Sequence, residues 1–357
     1  MHRLADDDVV ERHEDAAEAA RPPLVVLEPL AAFLDGEGIG SGAIEIEPIG
    51  EGHSNVTFVA SRGGAEFILR RPPRPPLPPS AHDVLREARV ISALAGRARV
   101  PKVLAACEDE SVIGAPFFLM DRVPGEVITS EMPEALAAPQ ECRRTGEELI
   151  DALVELHAVD WEEAGLEGFG KPTGYLERQL RRFTGLWEHN KTREIPAVEQ
   201  VGTWLAANMP ESGPATIVHG DYRLGNTIFA ASPPARLEAI LDWEMATIGD
   251  PLADLGYFAT LYVDSTDPEG GLFELSSVTR TPGFPTRAEL IARYEEASGR
   301  AMTDIVWYQT LALWKATVFM EGNYKRAVSG TTDDPVLKAF GDSVVSLAEN
   351  ALELTGG

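Results

Sequence analysis

Asp221, Asn226 and Asp242 are the residues of this chain whose types and spacing are best suited to chemistry. They lie in two short segments, IVHGDYRLGNTIF at 217–229 and ILDWEMATIGDPLADL at 240–255. A carboxylate, a carboxamide five residues on and a second carboxylate are the set a phosphoryl-transfer site needs. That reaction asks for little covalent chemistry. It needs an acceptor hydroxyl aligned with a phosphate, and cations to neutralise the charge there. Asp221 is the candidate base or hydroxyl-orienting group, and Gly220 before it, lacking a side chain, is expected to let a substrate approach closely. Asn226 and Asp242 offer hard oxygens to Mg2+, which takes few protein groups and otherwise coordinates water and nucleotide phosphate.

The elements that position these groups follow from apolar periodicity. Both segments open on an apolar run, Ile217-Val218 and Ile240-Leu241, which reads as a short buried strand carrying polar residues at its end. Upstream, residues 27–34 have helical spacing, and Gly36, Gly38, Gly40 and Gly42 then break the chain. Ile44 and Ile46 alternate with Glu45 and Glu47, and 56–60 and 66–70 are further strands of one antiparallel sheet. Pro-rich residues 71–79 (RPPRPPLPP) exclude helix interior and central strand, because proline lacks a backbone donor. They read as a stiff connection to a helix at 83–94 that carries Glu87. Strands are expected at 103–106 and 117–120. Beyond Val123-Pro124-Gly125 the apolar period becomes helical, at 141–157, 197–207, 288–297, 305–319 and 336–354.

Composition bounds the function. With 357 residues, 44% hydrophobic and 25% charged, the chain has the make-up of an ordinary globular protein with room for two lobes. Thirty-one Lys and Arg against 57 Asp and Glu give a net charge of -26, which argues against nucleic acid as a partner. No run approaches the roughly 18 apolar residues that span a bilayer, so no membrane partner and a cytoplasmic location are expected. Cys107 and Cys142 are too few and too far apart for a disulfide framework and read as reduced, and the seven His show no metal-ligand spacing.

HGDxxxxN followed by DWExxxxGDPxxDL, behind a small β region, resembles the aminoglycoside phosphotransferase family of small-molecule kinases. The Asp221-to-Asn226 offset and the Asp on the next strand are also those of the protein-kinase catalytic loop and metal-binding Asp. More narrowly, GHSNVTF, ILRRPP, LPPSAH, Arg86-Glu87, SVIGAPFFLMDRVPG and GNYKR resemble the kinase-like domain fused to some acyl-CoA dehydrogenases and its free-standing bacterial relatives. The resemblance covers nearly the whole chain. It implies an α+β, protein-kinase-like two-lobed fold: a flexible acidic leader at 1–23, a β N-lobe at 24–122 and a helical C-lobe at 123–357. It also implies ATP or GTP with Mg2+ as cofactors. Protein kinases grip the nucleotide phosphates with a strand Lys held by a helix Glu. Here Arg70, with Glu87 as partner, stands in that place, and Arg71 is the alternative. Gly52, Ser54 and Asn55 fall in the nucleotide-covering loop, and backbone groups at Asp121 and Val123 in the adenine-binding hinge. The resemblance gives His219 and Asp254 supporting roles, Asp254 by accepting N–H bonds from the catalytic loop, while Glu244 and Asp250 stay ambiguous.

For the acceptor pocket the candidates are Arg223, Trp243, Tyr324, Lys325 and Arg326. A Tyr-Lys-Arg cluster suits an anionic acceptor, whereas an aminoglycoside wants carboxylates. The expected activity is ATP- and Mg-dependent phosphorylation of a hydroxyl on a small molecule, and the resemblance to the acyl-CoA-dehydrogenase-linked domain implies a hydroxy acid or hydroxyacyl-CoA. The alternatives are an antibiotic kinase, a catalytically silent module that holds nucleotide or acyl metabolite, and a scaffold that uses the Pro-rich loop.

Overall fold

The computed structural model describes residues 8–18, 21–49, 55–77, 82–267, 277–330 and 335–356. It divides into two compact units. The first is 1–124 with 241–244, and the second is 125–240 with 245–357.

In the first unit, β1 (Val9–Val10) pairs in parallel with β2 (Val25–Val26), flanking α1 (His13–Glu18). The leader expected to be flexible is thus tied down over its described part, and buried Asp8 pairs with Arg21 and Arg74. α2 (Leu27–Glu37) runs through Gly36 and stops at Gly38, whose left-handed backbone (φ 69°) suits glycine. Five antiparallel strands follow the order β3-β4-β5-β7-β6, built from β3 (Ile44–Ile49), β4 (Val56–Arg62), β5 (Ala65–Arg71), β6 (Val103–Cys107) and β7 (Phe117–Asp121). Phe58, Phe67, Leu69, Phe117 and Leu119 are fully buried with Leu30 and Leu34 of α2. Each such side chain removed from water contributes about 1.5–3 kcal/mol. α3 (Val84–Leu94) starts on Asp83, whose carboxylate accepts the Arg86 N–H at 2.9 Å. One face of α3 is apolar, and the same helix buries Glu87.

In the second unit, β8 (Glu126–Val127), β10 (Thr227–Phe229) and β11 (Leu237–Ile240) form a small antiparallel sheet, and β9 (Thr216–Val218) pairs with β12 (Thr247–Gly249). The helices are α4 (Pro139–His157), α5 (Tyr175–Asn190), α6 (Pro196–Ala207), α7 (Leu252–Leu261), α8 (Arg287–Ser298), α9 (Ile305–Val328) and α10 (Pro335–Leu354). Sequence periodicity had not singled out α5, although Leu176, Leu180, Phe183 and Trp187 mark its buried stripe. α9 continues well past residue 319, so GNYKR is its last turns rather than a separate segment. Trp187, Val201, Leu205, Trp314 and Val318 knit α5, α6 and α9 into the main core of this unit. Both cysteines are free and buried. Among the described residues no helix is long and apolar enough to cross a membrane.

Candidate active site

In the second unit the catalytic-loop candidate leaves β9 at Val218 and re-enters β10 at Thr227. It includes a short 3-10 turn, Leu224–Asn226. Two buried N–H groups of this loop need acceptors, and one carboxylate supplies both. Asp254, in the first turn of α7, accepts the His219 N–H at 2.6 Å on one oxygen and the Gly220 N–H at 2.8 Å on the other. The His157 Nε2–H lies 3.3 Å from the same carboxylate, while Nδ1 accepts the Tyr294 O–H at 2.7 Å. A carboxylate can only accept, so this contact sets the His157 tautomer. Burial alone would raise the Asp254 pKa. His157, His219 and the Gly220 N–H outweigh it and hold the group below its ordinary value. Burial keeps the His157 pKa below its ordinary value, so the ring is neutral at pH 7.

Gly220 sits at φ 88°, and a Cβ there would lie 2.8 Å from the Met245 carbonyl oxygen. Its missing side chain therefore admits the Met245 backbone, and the residue also lines a cleft beside the loop. His219 is fully buried, and its Nδ1 accepts the Asp221 N–H at 3.2 Å.

Both oxygens of the Asp221 carboxylate are engaged. Oδ2 accepts from Asn226 Nδ2 at 2.7 Å, and the same amide donates to the Asp221 carbonyl at 2.8 Å. Oδ1 accepts the Tyr257 hydroxyl at 2.5 Å, with Arg223 Nε 3.7 Å away. Tyr257 was not foreseen from sequence. It lies three residues after Asp254 on α7, so both side chains face the loop from one side of the helix. The Asn226 donors are spent on Asp221, which leaves its amide oxygen as the group able to meet a cation.

Beside this loop the second unit holds a small, partly open cleft, lined by Gly220, Asp254, Tyr257, Tyr308, Leu311 and Lys315 among others. The acceptor candidates from sequence do not line it. Lys325 and Arg326 lie ten and eleven residues beyond Lys315 on α9, roughly 15 Å along the helix at 1.5 Å per residue. Lys325 Nζ donates to the His189 carbonyl, the Tyr324 ring stacks under Arg193, and Arg326 is exposed. Trp243 is 0% exposed, so its ring has no surface to offer an acceptor. Asp250, also buried, accepts the Tyr308 hydroxyl at 2.8 Å and the Leu252 N–H at 3.0 Å.

In the first unit, alternation along β5 sends Arg70 and Arg71 to opposite faces. Arg70 Nε donates to Glu87 at 2.9 Å, Nη1 to the Thr57 hydroxyl at 3.2 Å, and Nη2 to Asp242 at 2.5 Å. Arg71 is sealed, 2% exposed, and its guanidinium donates to the Pro72, Leu24 and Ile113 carbonyls. It is thereby occupied as a structural tie, leaving Arg70 as the arginine beside carboxylates. Burial disfavours the Arg70 charge, but Glu87, Asp242 and Glu244 more than compensate and raise its pKa. Burial pushes Glu87 up to about 7, against the pull of Arg70 and with help from Asp242 and Glu244.

Asp242 follows β11 with φ 64°, an uncommon left-handed conformation for a non-glycine residue, and its side chain is 33% exposed. Asn55 Nδ2 lies 3.3 Å from Glu244 and 3.4 Å from Glu87, while its Oδ1 is buried with no partner among the described residues. Asp121 is already used locally, its carboxylate accepting the Lys102 N–H at 2.6 Å and its N–H donating to the Lys102 carbonyl at 2.9 Å. Val123 of the hinge pair keeps backbone groups without a hydrogen bond among the described residues. Gly52 and Ser54 lie outside the described residues. Among the described residues no three carboxylates, imidazoles or thiols converge as a protein-only metal site. Magnesium held largely by nucleotide oxygens does not require one.

A family model described as the phosphotransferase enzyme family matches residues 45–303. Acyl-CoA dehydrogenase family member 11 of Gallus gallus is 33% identical over 324 residues, 88% of this chain and 41% of that protein. The chain thus spans well under half the length of that relative. A crystal structure from Ralstonia eutropha JMP134, provisionally described as an aminoglycoside phosphotransferase, is 31% identical with a TM-score of 0.79. The match covers 92% of this chain and 98% of that one. A thermostable mutant aminoglycoside phosphotransferase, in ternary complex with AMP-PNP and hygromycin B, shares the kinase-like fold at 16% identity and a TM-score of 0.60. There the coverage is 92% and 99%. With a family match over residues 45–303 and a relative of nearly equal length, the chain belongs to the phosphotransferase enzyme family.

Proposed function

We propose that this phosphotransferase moves the γ-phosphoryl group of ATP, with Mg2+, onto a hydroxyl of a small hydroxyacyl compound, either a hydroxy acid or its CoA ester. The observation that carries the reading is the Asp221 carboxylate, held by Asn226 and Tyr257 on a loop that Asp254 braces. In the transfer, the acceptor oxygen bonds to the γ-phosphorus and the bond to the β,γ-bridging oxygen breaks. ADP departs, and Asp221 takes the hydroxyl proton. An acceptor hydroxyl would replace the Tyr257 hydroxyl on Oδ1 or share that oxygen with it.

Arg70, oriented by Glu87, is assigned to the nucleotide phosphates, and free backbone groups at Val123 to the adenine. Asn55 retains a buried oxygen that lacks a donor. The Asn226 amide oxygen and the partly exposed Asp242 carboxylate are hard donors that fit Mg2+, which when bound neutralises phosphate charge. Relatives that carry this domain within acyl-CoA dehydrogenase family members favour an acyl acceptor, as does the single ammonium in the cleft beside Asp221. An aminoglycoside, itself polycationic, would meet that ammonium as a like charge. ADP release should be followed over hydroxy acids with the hydroxyl at the β, γ or δ carbon, their CoA esters, and aminoglycosides. Turnover confined to the acyl compounds is expected. Turnover of aminoglycosides alone overturns the acceptor assignment.

A further inference from the structure

Lys315 is a charged group that neither the motifs nor the hydroxyl chemistry accounts for. It sits in the middle of α9, between buried Trp314 and Thr317, and helps line the cleft that Gly220 and Tyr257 also line. Its ammonium makes no hydrogen bond or ion pair among the described residues, and its recorded contact is the Phe183 ring, 5.0 Å from the centroid. An ammonium at the lip of a cleft, half-buried beside Leu311 and Ala312 and without an anionic hydrogen-bond partner, is poorly solvated. A purely structural position would be better served by Met or Leu. Lys315 therefore reads as a donor waiting for a ligand.

What it waits for follows from its surroundings. The cleft's own carboxylate, Asp254, already accepts from His219, Gly220 and His157. The Tyr308 hydroxyl is committed to Asp250, and that of Tyr257 to Asp221. What remains for a ligand is a short apolar wall carrying one cation and the Tyr175 hydroxyl, next to the carboxylate that would meet a hydroxyl.

We infer that Lys315 is a specificity-determining residue of the acceptor site, donating to an acyl oxygen of the acceptor while the acceptor's hydroxyl faces Asp221. The oxygen is either the carboxylate of a free hydroxy acid or the carbonyl of its thioester. This rests on the proposed function and adds to it the residue that distinguishes an acyl acceptor from a plain alcohol or an amine. Burial and the nearby Arg182 pull the Lys315 pKa down to about 8, against the pull of Asp254. The tyrosines of the cleft, 175, 257 and 308, are all raised and stay neutral in that range. Lys315 is thus the cleft group expected to change charge near pH 8.

The test is steady-state kinetics of full-length wild type, Lys315→Met and Lys315→Arg with MgATP. The acceptors are γ-hydroxybutyrate, its CoA ester and the matching diol. Lys315→Met should raise KM at least tenfold for whichever acyl form is turned over. KM for MgATP and the poor KM for the diol should stay within about twofold. In wild type, KM for the acyl acceptor should climb above about pH 8. In Lys315→Arg that rise should move to higher pH, since guanidinium keeps its charge. Comparing the free acid with the thioester tells which oxygen Lys315 meets. If wild type phosphorylates an acyl acceptor and Lys315→Met leaves its KM unchanged, or weakens the diol equally, the role of Lys315 is overturned while the proposed function stands. If wild type phosphorylates no acyl acceptor of the β, γ or δ series, both fall.

Discussion

Replacing Asp254 by Asn probes the brace under the catalytic loop with almost no change of shape. The aspartate side chain is 1% exposed and accepts two backbone N–H groups, at 2.6 and 2.8 Å. An amide can accept with one end only, so its NH2 must face either the His219 or the Gly220 N–H. One charge-assisted bond worth about 1.5–3 kcal/mol is lost, and one buried N–H is left unpaired at about 1–3 kcal/mol. Relief from burying a carboxylate offsets part of this, and a net loss of about 3 kcal/mol is expected. That is a large share of the roughly 5–15 kcal/mol that holds a domain folded. Urea unfolding at pH 7 reads it as a lower midpoint with an unchanged slope. Because the Asp254 pKa is depressed, its contribution is present above the ordinary carboxylate value. It is lost as pH falls through the depressed one, so the Asn variant should lack that part of the acid loss. Displacement of the loop should lower kcat about a hundredfold. KM for MgATP should change less than kcat, because Arg70 and Asp242 belong to the other unit and only Asn226 rides on the displaced loop. A stability loss under about 1 kcal/mol together with wild-type kcat would refute the brace.

Arg70→Met should raise KM for MgATP about thirtyfold, as expected when a charge partner of phosphate is removed, and should also lower the unfolding midpoint, because buried Glu87 loses its ion pair. Its neighbour should separate the two effects: Arg71→Met leaves three buried carbonyls without their donor and should lower the unfolding midpoint while sparing KM for MgATP. Gly220→Ala places a Cβ 2.8 Å from the Met245 oxygen at φ 88°. It should cost about 1–3 kcal/mol in urea unfolding and lower kcat by moving Asp221. His157 is neutral and buried, so an unfolded chain that binds its proton gains on the native state as pH falls below about 6.5. Unfolding midpoints measured from pH 8 to pH 5 should fall less steeply in His157→Gln than in wild type.

Local chemistry was legible in the sequence, and non-local placement was not. Asp221 and Asn226 share one loop, so their spacing alone brings them to 2.7 Å. β3 to β7 of the first unit follow from alternation or β-prone apolar runs, whereas the two-residue β1 and β2 are too short to carry a pattern, and α3 and most of the long helices follow from apolar spacing and caps. Which of Arg70 and Arg71 faces Glu87 depends on strand phase, and a one-residue uncertainty in β5 exchanges the two faces. Trp243 is an acceptor-pocket candidate by sequence, but the chain turns at φ 64° at Asp242 and the indole is fully buried. α9 is apolar on most of its surface, so its sequence does not say which turn meets the cleft. Lys315 stands alone between apolar neighbours, whereas Tyr324, Lys325 and Arg326 form a contiguous polar cluster at the helix end. Tyr257 and Met245 act on the loop from elsewhere in the chain, and no spacing rule within the loop reveals them.

The central claim is that Asp221 drives transfer of the γ-phosphoryl group to a hydroxyl. It is tested most directly by ³¹P NMR of a reaction containing MgATP and the hydroxyacyl acceptor labelled with ¹⁸O at its hydroxyl. Wild type should yield ADP and a phosphate ester whose resonance carries the isotope shift of a bridging ¹⁸O. Asp221→Asn, folded to the same unfolding midpoint, should yield the ester at least a hundredfold more slowly, within the range for loss of a positioned base. An ester without the isotope shift, or one formed equally fast by Asp221→Asn, would contradict the account.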